Sequence, residues 1–174
     1  MRFLVLPLLV LLGACAQLET RVPQDVQFDI EGRLAVRYGD EAFSGNLAWR
    51  HAGQSDELLI TSSLGAGVAR LVRDADAITL STAEPREYRG SDAETLTEEV
   101  LGFRLPVRGL TDWVRGRASH ASPASTRYGD DGRLRVLEQA GWRIEYLEYQ
   151  AGLPTRMRLT YPGIELRLAI SQWK

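Results

Sequence analysis

FDIEGRLAVRYGDEAFSGNLAW, residues 28–49, decides the fold because apolar and polar residues alternate along it on both sides of one short turn. Its apolar positions are Phe28, Ile30, Leu34, Val36 and Tyr38 before the turn around Gly39 and Asp40, and Phe43, Leu47 and Trp49 after it. A period of two residues is typical of a β-strand with one buried face, and Gly-Asp between two such runs favours a hairpin. The stretch therefore predicts two antiparallel strands.

Similar short runs lie on both sides of the middle of the chain. Residues 58–62, 68–73 and 77–82 predict three further strands, which Ser, Gly and Asp turn residues separate. Four more strands are predicted near the end, at Leu134 and Val136, at Trp142, Ile144 and Tyr146, at Met157, Leu159 and Tyr161, and at Ile164, Leu166, Leu168 and Ile170. The chain is thus predicted to be mainly β.

Two short amphipathic helices are predicted between the two groups of strands. The first follows a capping-box pattern of Ser91 and Glu94 and ends at Gly102, and the second starts at Pro106 and ends at Gly116. Their apolar positions are Leu96, Val100 and Leu101 in the first helix and Val107, Leu110, Trp113 and Val114 in the second. Each set lies on one side of its helix, so both helices are expected to pack against the strands.

The fold class that follows is α+β, mainly β, with a curved antiparallel sheet and a mid-chain helical lid over its concave face. A sheet of this many short strands tends to curl or close. Small barrels either fill their interior with side chains or hold one ligand. Alternation alone does not decide between a filled core and a cavity, although an apolar stripe is more often ordinary core.

The N-terminus has the layout of a bacterial lipoprotein signal. Arg2 precedes an apolar run that ends at Leu12, and Gly13 and Ala14 stand before Cys15, which is the one cysteine in the chain. This run is shorter than the roughly 20 apolar residues of a transmembrane helix. We therefore expect residues 1–14 to be removed and Cys15 to carry a diacylglycerol and an N-acyl chain, which together anchor the protein stably. A plain signal peptide with an unmodified cysteine is the alternative.

The remaining chain has the size of one domain, with a polar tether at residues 15–27 and a folded body at 28–174. Removal of Arg2 leaves 20 basic residues against 23 acidic residues, a formal charge of −3. This balance gives no electrostatic support for a nucleic-acid partner. With its one cysteine committed to lipid, the body has no intramolecular disulfide and is expected to be a monomer that is stabilised by packing.

Catalytic and metal-binding patterns are weak. His51 at a strand end and His120 in a loop both read as surface residues, and no Gly-x-Ser-x-Gly elbow or metal-ligand spacing accompanies them. Gly65-Ala66-Gly67 lacks the third glycine of a dinucleotide loop and reads as a tight turn. The acidic pairs Glu98-Glu99 and Glu145/Glu148 could serve as acid and base for glycoside hydrolysis, but they lie where solvated charge is expected. The sequence thus predicts no catalytic residues, no metal and no cofactor.

Leu64 is unusual because it lies between polar residues and Gly65 at a predicted hairpin tip, in Thr61-Ser62-Ser63-Leu64-Gly65. A large apolar residue at such a tip has little to pack against. It either folds back onto the sheet or projects into solvent. The sequence leaves both possibilities open.

Several motifs in this order resemble the LolB family of outer-membrane lipoprotein receptors over nearly the whole mature chain. They are the sequence before Cys15, Gly32-Arg33-Leu34-Ala35-Val36, Ser63-Leu64-Gly65, Leu105-Pro106-Val107 through Trp113-Val114-Arg115-Gly116, Gln139-Ala140-Gly141-Trp142, and Leu168 to Trp173. The resemblance implies an incomplete antiparallel barrel whose helical lid covers a hydrophobic cavity. It also implies no catalytic activity. Two departures are a short segment after Cys15, which puts a family N-terminal helix in doubt, and Ser63 where the family often has proline.

The resemblance further implies that the protein takes lipoproteins from the periplasmic carrier LolA and inserts them into the outer membrane. Leu64 would contact the membrane, Cys15 would hold the receptor there on the periplasmic face, and Ala16 fits outer-membrane sorting. The partners would be LolA, lipoprotein acyl chains and outer-membrane lipid. We expect the acyl-chain cavity to be lined by Leu34, Val36, Trp49, Ile144, Leu159, Leu166 and Leu168. The main alternative is a lipid-anchored envelope scaffold with a filled barrel and no ligand, and an enzyme is a distant third.

Overall fold

A computed structural model describes residues 26–75, 77–84 and 86–174. They form one antiparallel sheet of 11 strands with two short helices, which confirms the predicted fold class. The strands are β1 (Val26–Tyr38), β2 (Glu41–Ala52), β3 (Ser55–Thr61), β4 (Gly67–Asp74), β5 (Ala77–Thr82), β6 (Glu87–Gly90), β7 (Ala124–Tyr128), β8 (Leu134–Gln139), β9 (Trp142–Gln150), β10 (Leu153–Tyr161) and β11 (Ile164–Trp173). The helices are α1 (Ala93–Leu101) and α2 (Val107–Trp113).

The sheet is made of two meanders that meet through β1 and β11. Its strand order is β6-β5-β4-β3-β2-β1-β11-β10-β9-β8-β7, so β6 and β7 form its two ends and the sheet stays open. Leu34 pairs with Leu168 and Val36 with Leu166 across the β1–β11 junction. Side chains of one parity on these strands are buried, as period-two alternation requires. The first and last parts of the chain therefore share one inner face.

Gly32 allows β1 and β11 to approach closely. A β-bulge falls between Glu31 and Gly32, and a Cβ at residue 32 would lie 2.3 Å from the carbonyl oxygen of Ala169. Real side chains do not tolerate that distance. The junction of the two meanders thus depends on glycine at this position.

The cap of α1 differs from the predicted one. Asp92, not Ser91, is the N-cap residue, and its carboxylate accepts a hydrogen bond from the Thr95 amide at 2.8 Å. Both residue types cap helices well, and the one-residue shift places Glu94 at the second helical position rather than the third. Gly102 ends the helix with a left-handed backbone, φ 80°, as predicted.

The helical segment covers the inner face of the sheet. The predicted second helix starts one residue later than expected, because Pro106 has a non-helical ψ of 62° and serves as the N-cap of α2. The apolar side chains of both helices join the single core of the sheet, and the fully buried ones include Val107, Trp113 and Val114. None of the helices in the described part of the chain is long and apolar enough to cross a membrane.

The sequence did not predict two of the strands, and the first strand begins earlier than predicted. β6 and β7 are edge strands with mostly exposed residues, so neither shows apolar alternation. β1 begins at Val26, two residues before the expected start of the body. The expected signal peptide, the lipidation site Cys15 and the tether up to residue 25 lie outside the described residues.

Candidate functional site

A small apolar cavity lies between the inner face of the sheet and the helices. Its volume is about 30 Å³. The residues that line it are Leu34, Leu47, Trp49, Leu58, Ile60, Leu105, Leu110, Leu159, Leu166 and Leu168. The lining includes no charged side chain, so the cavity suits a hydrocarbon ligand and offers nothing for acid–base or metal chemistry.

Five of the seven predicted cavity residues line this space, and two do not. Val36 and Ile144 have the same inward parity but are packed within the surrounding core. Sequence reasoning missed Leu47, Leu58 and Ile60, although their alternation on β2 and β3 carries the same signal as the residues that were chosen. Both contributors from the helical segment also belong to this missed group.

These contributors are Leu105, in the segment between α1 and α2, and Leu110 on α2, and they close the cavity from the side opposite the sheet. Leu105 is held by its backbone amide, which donates to the hydroxyl of Thr97 at 2.9 Å, while that hydroxyl donates to the Ala93 carbonyl at 2.7 Å. Thr97 is fully buried. This contact ties the segment between the helices to α1, so α1 and Leu105 form one local unit.

The C-terminal end of α2 is fastened to the sheet by polar contacts. The indole of Trp113 donates to the buried Gln139 side-chain oxygen at 2.8 Å, and the Tyr146 hydroxyl donates to the Trp113 carbonyl at 2.9 Å. The Gln139 amide nitrogen in turn donates to the carbonyls of Ser119 and Ser122. Burial raises the pKa of Tyr146 far above its usual value. Polar contacts thus fasten the lid to the sheet at this end.

The cavity is too small for an acyl chain. Its volume is close to the space that one water molecule occupies in the liquid, whereas sites for organic ligands measure roughly 300–1,000 Å³. Among the residues described, the inner face is therefore nearly filled, with the helices closed over it. Any ligand that enters has to displace Leu105 and Leu110.

Leu64 projects from the tip of the β3–β4 loop. It is 95% exposed, which excludes the alternative that it folds back onto the sheet. The loop is closed beneath it by hydrogen bonds from the Ser62 amide to the Ala66 carbonyl at 2.8 Å and from the Gly65 amide to the Ser62 carbonyl at 2.9 Å. Gly65 supplies the left-handed backbone that this turn needs, φ 85°. A large apolar side chain is thus held in solvent by a defined turn.

His51 was predicted to be a surface residue, and this was wrong. It is 5% exposed, and its Nδ1 lies 2.9 Å from a carboxylate oxygen of Asp56. Asp56 is fully buried and also accepts hydrogen bonds from the indole of Trp49 and the guanidinium of Arg73. Burial by itself would raise the pKa of Asp56, but these three partners outweigh it and hold that pKa below its usual value.

This buried cluster joins β2, β3 and β4, and the Trp49 side chain also lines the apolar cavity. Both carboxylate oxygens of Asp56 are engaged by members of the cluster, so it reads as a structural network. The other residues considered for chemistry are dispersed: His120 is exposed, Glu98 pairs with Arg104, and Glu145 lies between Arg143 and Arg158. No group of three or more His, Cys, Asp or Glu that could hold a metal occurs in residues 26–75, 77–84 and 86–174.

The sequence is similar to known proteins over most of its length. The family model for outer membrane lipoprotein LolB matches residues 26–173. An outer-membrane lipoprotein LolB from Thiobacillus denitrificans is 38% identical over 170 residues, which cover 94% of this chain and 91% of that protein. One from Nitrosomonas europaea is 36% identical and covers 98% of this chain and 91% of its own length.

Two solved structures share the fold at low identity. A LolA superfamily protein from Nitrosomonas europaea has a TM-score of 0.53 at 15% identity and covers 88% of this chain and 87% of its own. A DUF1329 family protein from Desulfovibrio piger has a TM-score of 0.55 at 13% identity, with 87% and 85% covered. These likenesses concern the arrangement of sheet and helices alone.

Proposed function

Because the chain belongs to the LolB family of outer-membrane lipoproteins, we propose that it accepts lipoproteins from a periplasmic carrier of the LolA type and inserts them into the outer membrane. The observation that carries this proposal is the wholly apolar cavity beneath the helices. The acyl chains of the cargo are the ligands that such a lining suits. The proposed role is transport, with no catalytic step and no cofactor.

The energetics favour direct passage of acyl chains between two proteins. Burial of each methylene is worth about 0.8 kcal/mol, so exposure of one chain of ~15 methylenes to water costs about 12 kcal/mol. Transfer from one apolar cavity to another avoids that cost, and only the difference in affinity between carrier and receptor remains. No nucleotide is then needed to drive the acceptance step.

Acceptance requires the helical lid to open. Leu105 and Leu110 occupy the space that an acyl chain would take, and the polar contacts around Gln139 hold the far end of α2. We propose that the segment from α1 to the start of α2 moves away from the sheet while the Trp113 end stays attached. The buried hydrogen bonds at that end support this direction of opening.

Delivery is proposed to use Leu64 and the lipid on Cys15. The anchor would keep the body on the periplasmic face of the outer membrane, as a monomer, and Leu64 would enter the bilayer at the moment of release. Leu64 is 95% exposed on a hydrogen-bonded turn, and this supports such a contact, because the side chain would be buried in a membrane but is not buried in the folded protein.

The test separates acceptance from delivery. Leu64→Glu places a charge on the proposed membrane contact, and Gln54→Glu, in the exposed β2–β3 turn, adds the same charge at the opposite end of the sheet. A carrier loaded with labelled lipoprotein is mixed with each lipidated variant, and cargo is followed first onto the receptor and then into vesicles. We expect Leu64→Glu to accept cargo but to deliver it poorly, while Gln54→Glu does both normally. Equal loss of acceptance and delivery in Leu64→Glu would contradict this division of roles.

The second candidate function is a lipid-anchored envelope scaffold, and the near-filled interior favours it. A scaffold has no need for its lid to open. It therefore predicts that the folded body binds neither cargo nor long-chain apolar probes, whereas a receptor binds both.

A further inference from the structure

A second, larger hollow lies on the outer face of the sheet, on the side away from the helices. Its volume is about 440 Å³, and most of its exposed lining is apolar. Four arginines border it: Arg33 on β1, Arg156 and Arg158 on β10, and Arg167 on β11. Neither the cavity beneath the lid nor the Leu64 loop accounts for this feature.

The strand register explains the hollow. Ala35 and Ala169 stand at its base, and each lies between long side chains: Arg33 is the cross-strand partner of Ala169, and Ala35 is the partner of Arg167. Small residues flanked by arginines leave a depression with an apolar floor and a cationic rim. Arg158 and Arg167 are also direct cross-strand partners, and like charges opposite each other destabilise a sheet.

Two of the four arginines have unused hydrogen-bonding capacity. Arg156 pairs with Glu148 at 2.6 Å and Arg167 with Glu165 at 2.7 Å. Arg158, in contrast, reaches Glu145 only at 3.4 Å, and its side chain is 40% exposed, so its outer guanidinium nitrogens are accessible. Arg33 has no ion pair within the described part of the chain. Guanidinium groups in this state bind phosphate through paired hydrogen bonds.

The hollow is level with the Leu64 loop. Arg33 on β1 pairs with Asn46 on β2, and Asn46 pairs with Thr61 at the end of β3. The Asn46 side chain also donates to the Ser62 carbonyl at the base of the loop. Neighbouring strands are about 4.8 Å apart, so Arg33 lies roughly 10 Å from Thr61 along this row. A bilayer that Leu64 enters would therefore have its headgroups within reach of the arginines.

We propose that this outer hollow binds the phosphate headgroup of an anionic membrane phospholipid, with the guanidinium groups on the phosphate and the apolar floor against the hydrocarbon near it. The inference rests on the proposed function because it places the hollow beside the membrane that Leu64 enters. Phospholipid fits better than an acidic protein surface, because the rim is cationic while the floor is apolar. The contact would fix how the receptor is oriented during delivery.

The test measures vesicle binding by the chain from Ala16 onward, without lipid. The buried core lies between Phe28 and Ile170, so this chain retains all of it. Arg33→Gln/Arg158→Gln removes the two arginines with the weakest carboxylate contacts. Arg50→Gln/Arg89→Gln removes the same charge from β2 and β6, in a row about 13 Å along the strands from the row of Arg33 and Asn46. Vesicles of phosphatidylglycerol mixed with phosphatidylcholine are compared with phosphatidylcholine alone, at 0.15 M salt and at high salt.

Each arginine at an anionic surface contributes about fivefold to partitioning, so we expect the hollow variant to bind phosphatidylglycerol vesicles roughly 25-fold more weakly than wild type. The control variant should lose much less, because charges more than a Debye length of about 8 Å from the membrane are screened. High salt should remove the difference. Equal losses of vesicle binding in both variants would overturn the proposal. No loss in either variant would also overturn it, and this is the result expected if the hollow binds an acidic protein instead.

Failure of this inference is distinguishable from failure of the proposed function. Cargo acceptance from the carrier takes place without vesicles and should be the same in wild type and in Arg33→Gln/Arg158→Gln. Wild type that accepts cargo but shows no preference for phosphatidylglycerol refutes the outer site alone. Wild type that binds phosphatidylglycerol through these arginines but accepts no cargo refutes the proposed function alone.

Discussion

Replacement of Leu110 by alanine should destabilise the fold and at the same time improve the binding of long alkyl chains. Leu110 is on α2, is 6% exposed and lines the cavity beneath the helices. The change removes three carbon atoms, whose transfer from water is worth about 2.4 kcal/mol. The space that they leave joins the existing 30 Å³ cavity. A residual void adds to the transfer loss, so the expected cost is about 3–5 kcal/mol.

The matched control is Leu137→Ala. Leu137 on β8 is fully buried but does not line the cavity. Its truncation should cost a similar free energy of unfolding, while the void that it leaves is separate from the site. Urea unfolding followed by tryptophan fluorescence measures the stability of both variants, and a fluorescent probe with a long alkyl chain measures their binding.

We expect Leu110→Ala to bind the probe at least about fourfold more tightly than wild type, which corresponds to room for one further methylene. Leu137→Ala should bind it no better than wild type. The reasoning would be refuted by an unfolding cost below about 1 kcal/mol at Leu110, or by equal changes in probe affinity for the two variants.

Three further predictions concern the fold around the site. Asp56→Asn should destabilise the protein by about 3–5 kcal/mol, because it leaves Arg73 and its neighbours without their buried carboxylate. Because the pKa of Asp56 is lowered in the folded protein, the carboxylate should stabilise the fold fully above the ordinary pKa of 3.8 and progressively less below it. A difference in unfolding free energy between wild type and variant that stays constant down to pH 2 in urea titrations would be inconsistent with this. Gln139→Leu should raise the hydrogen exchange rates of α2 amides, since the Trp113 indole loses its acceptor at a cost of about 1–3 kcal/mol; unchanged exchange would show that this contact does not hold the lid. Gly32→Ala should prevent folding or lower the melting temperature sharply, because its Cβ would contact the β11 backbone, and a normal melting temperature would rule out the close approach.

The central strands could be predicted because each buries every second side chain, which is apolar. The helices of the lid could be predicted because each buries one apolar side. β6 and β7 could not, since an edge strand with exposed residues carries no period in its hydrophobicity. His51 was misplaced because a lone histidine next to Arg50 resembles a surface residue. Its burial depends on Asp56, which only the β2–β3 pairing brings next to it.

The sequence predicted that apolar residues of the strands face the cavity, but not which of them line it. Alternation along the strands shows which side chains point inward, and it identified Leu34, Trp49 and three other residues of the cavity lining. Val36 and Ile144 also point inward but do not line the cavity. Which inward residues border the cavity depends on where the helices cross the sheet, and local sequence does not encode that position. Exposure of Leu64 likewise needed the turn geometry, because the sequence left open whether its side chain folds back.

The most direct test of the receptor account is to ask whether cargo acyl chains enter the cavity beneath the lid. A photoreactive residue is placed at Leu105, which lines the cavity, or at Val100, which is half-buried on the same helical segment but outside the lining. Each variant is mixed with a carrier that holds a lipoprotein with radiolabelled acyl chains, and is then irradiated. The account predicts strong labelling at Leu105 and little at Val100. Efficient cargo transfer without labelling at Leu105, or with equal labelling at both positions, would contradict it.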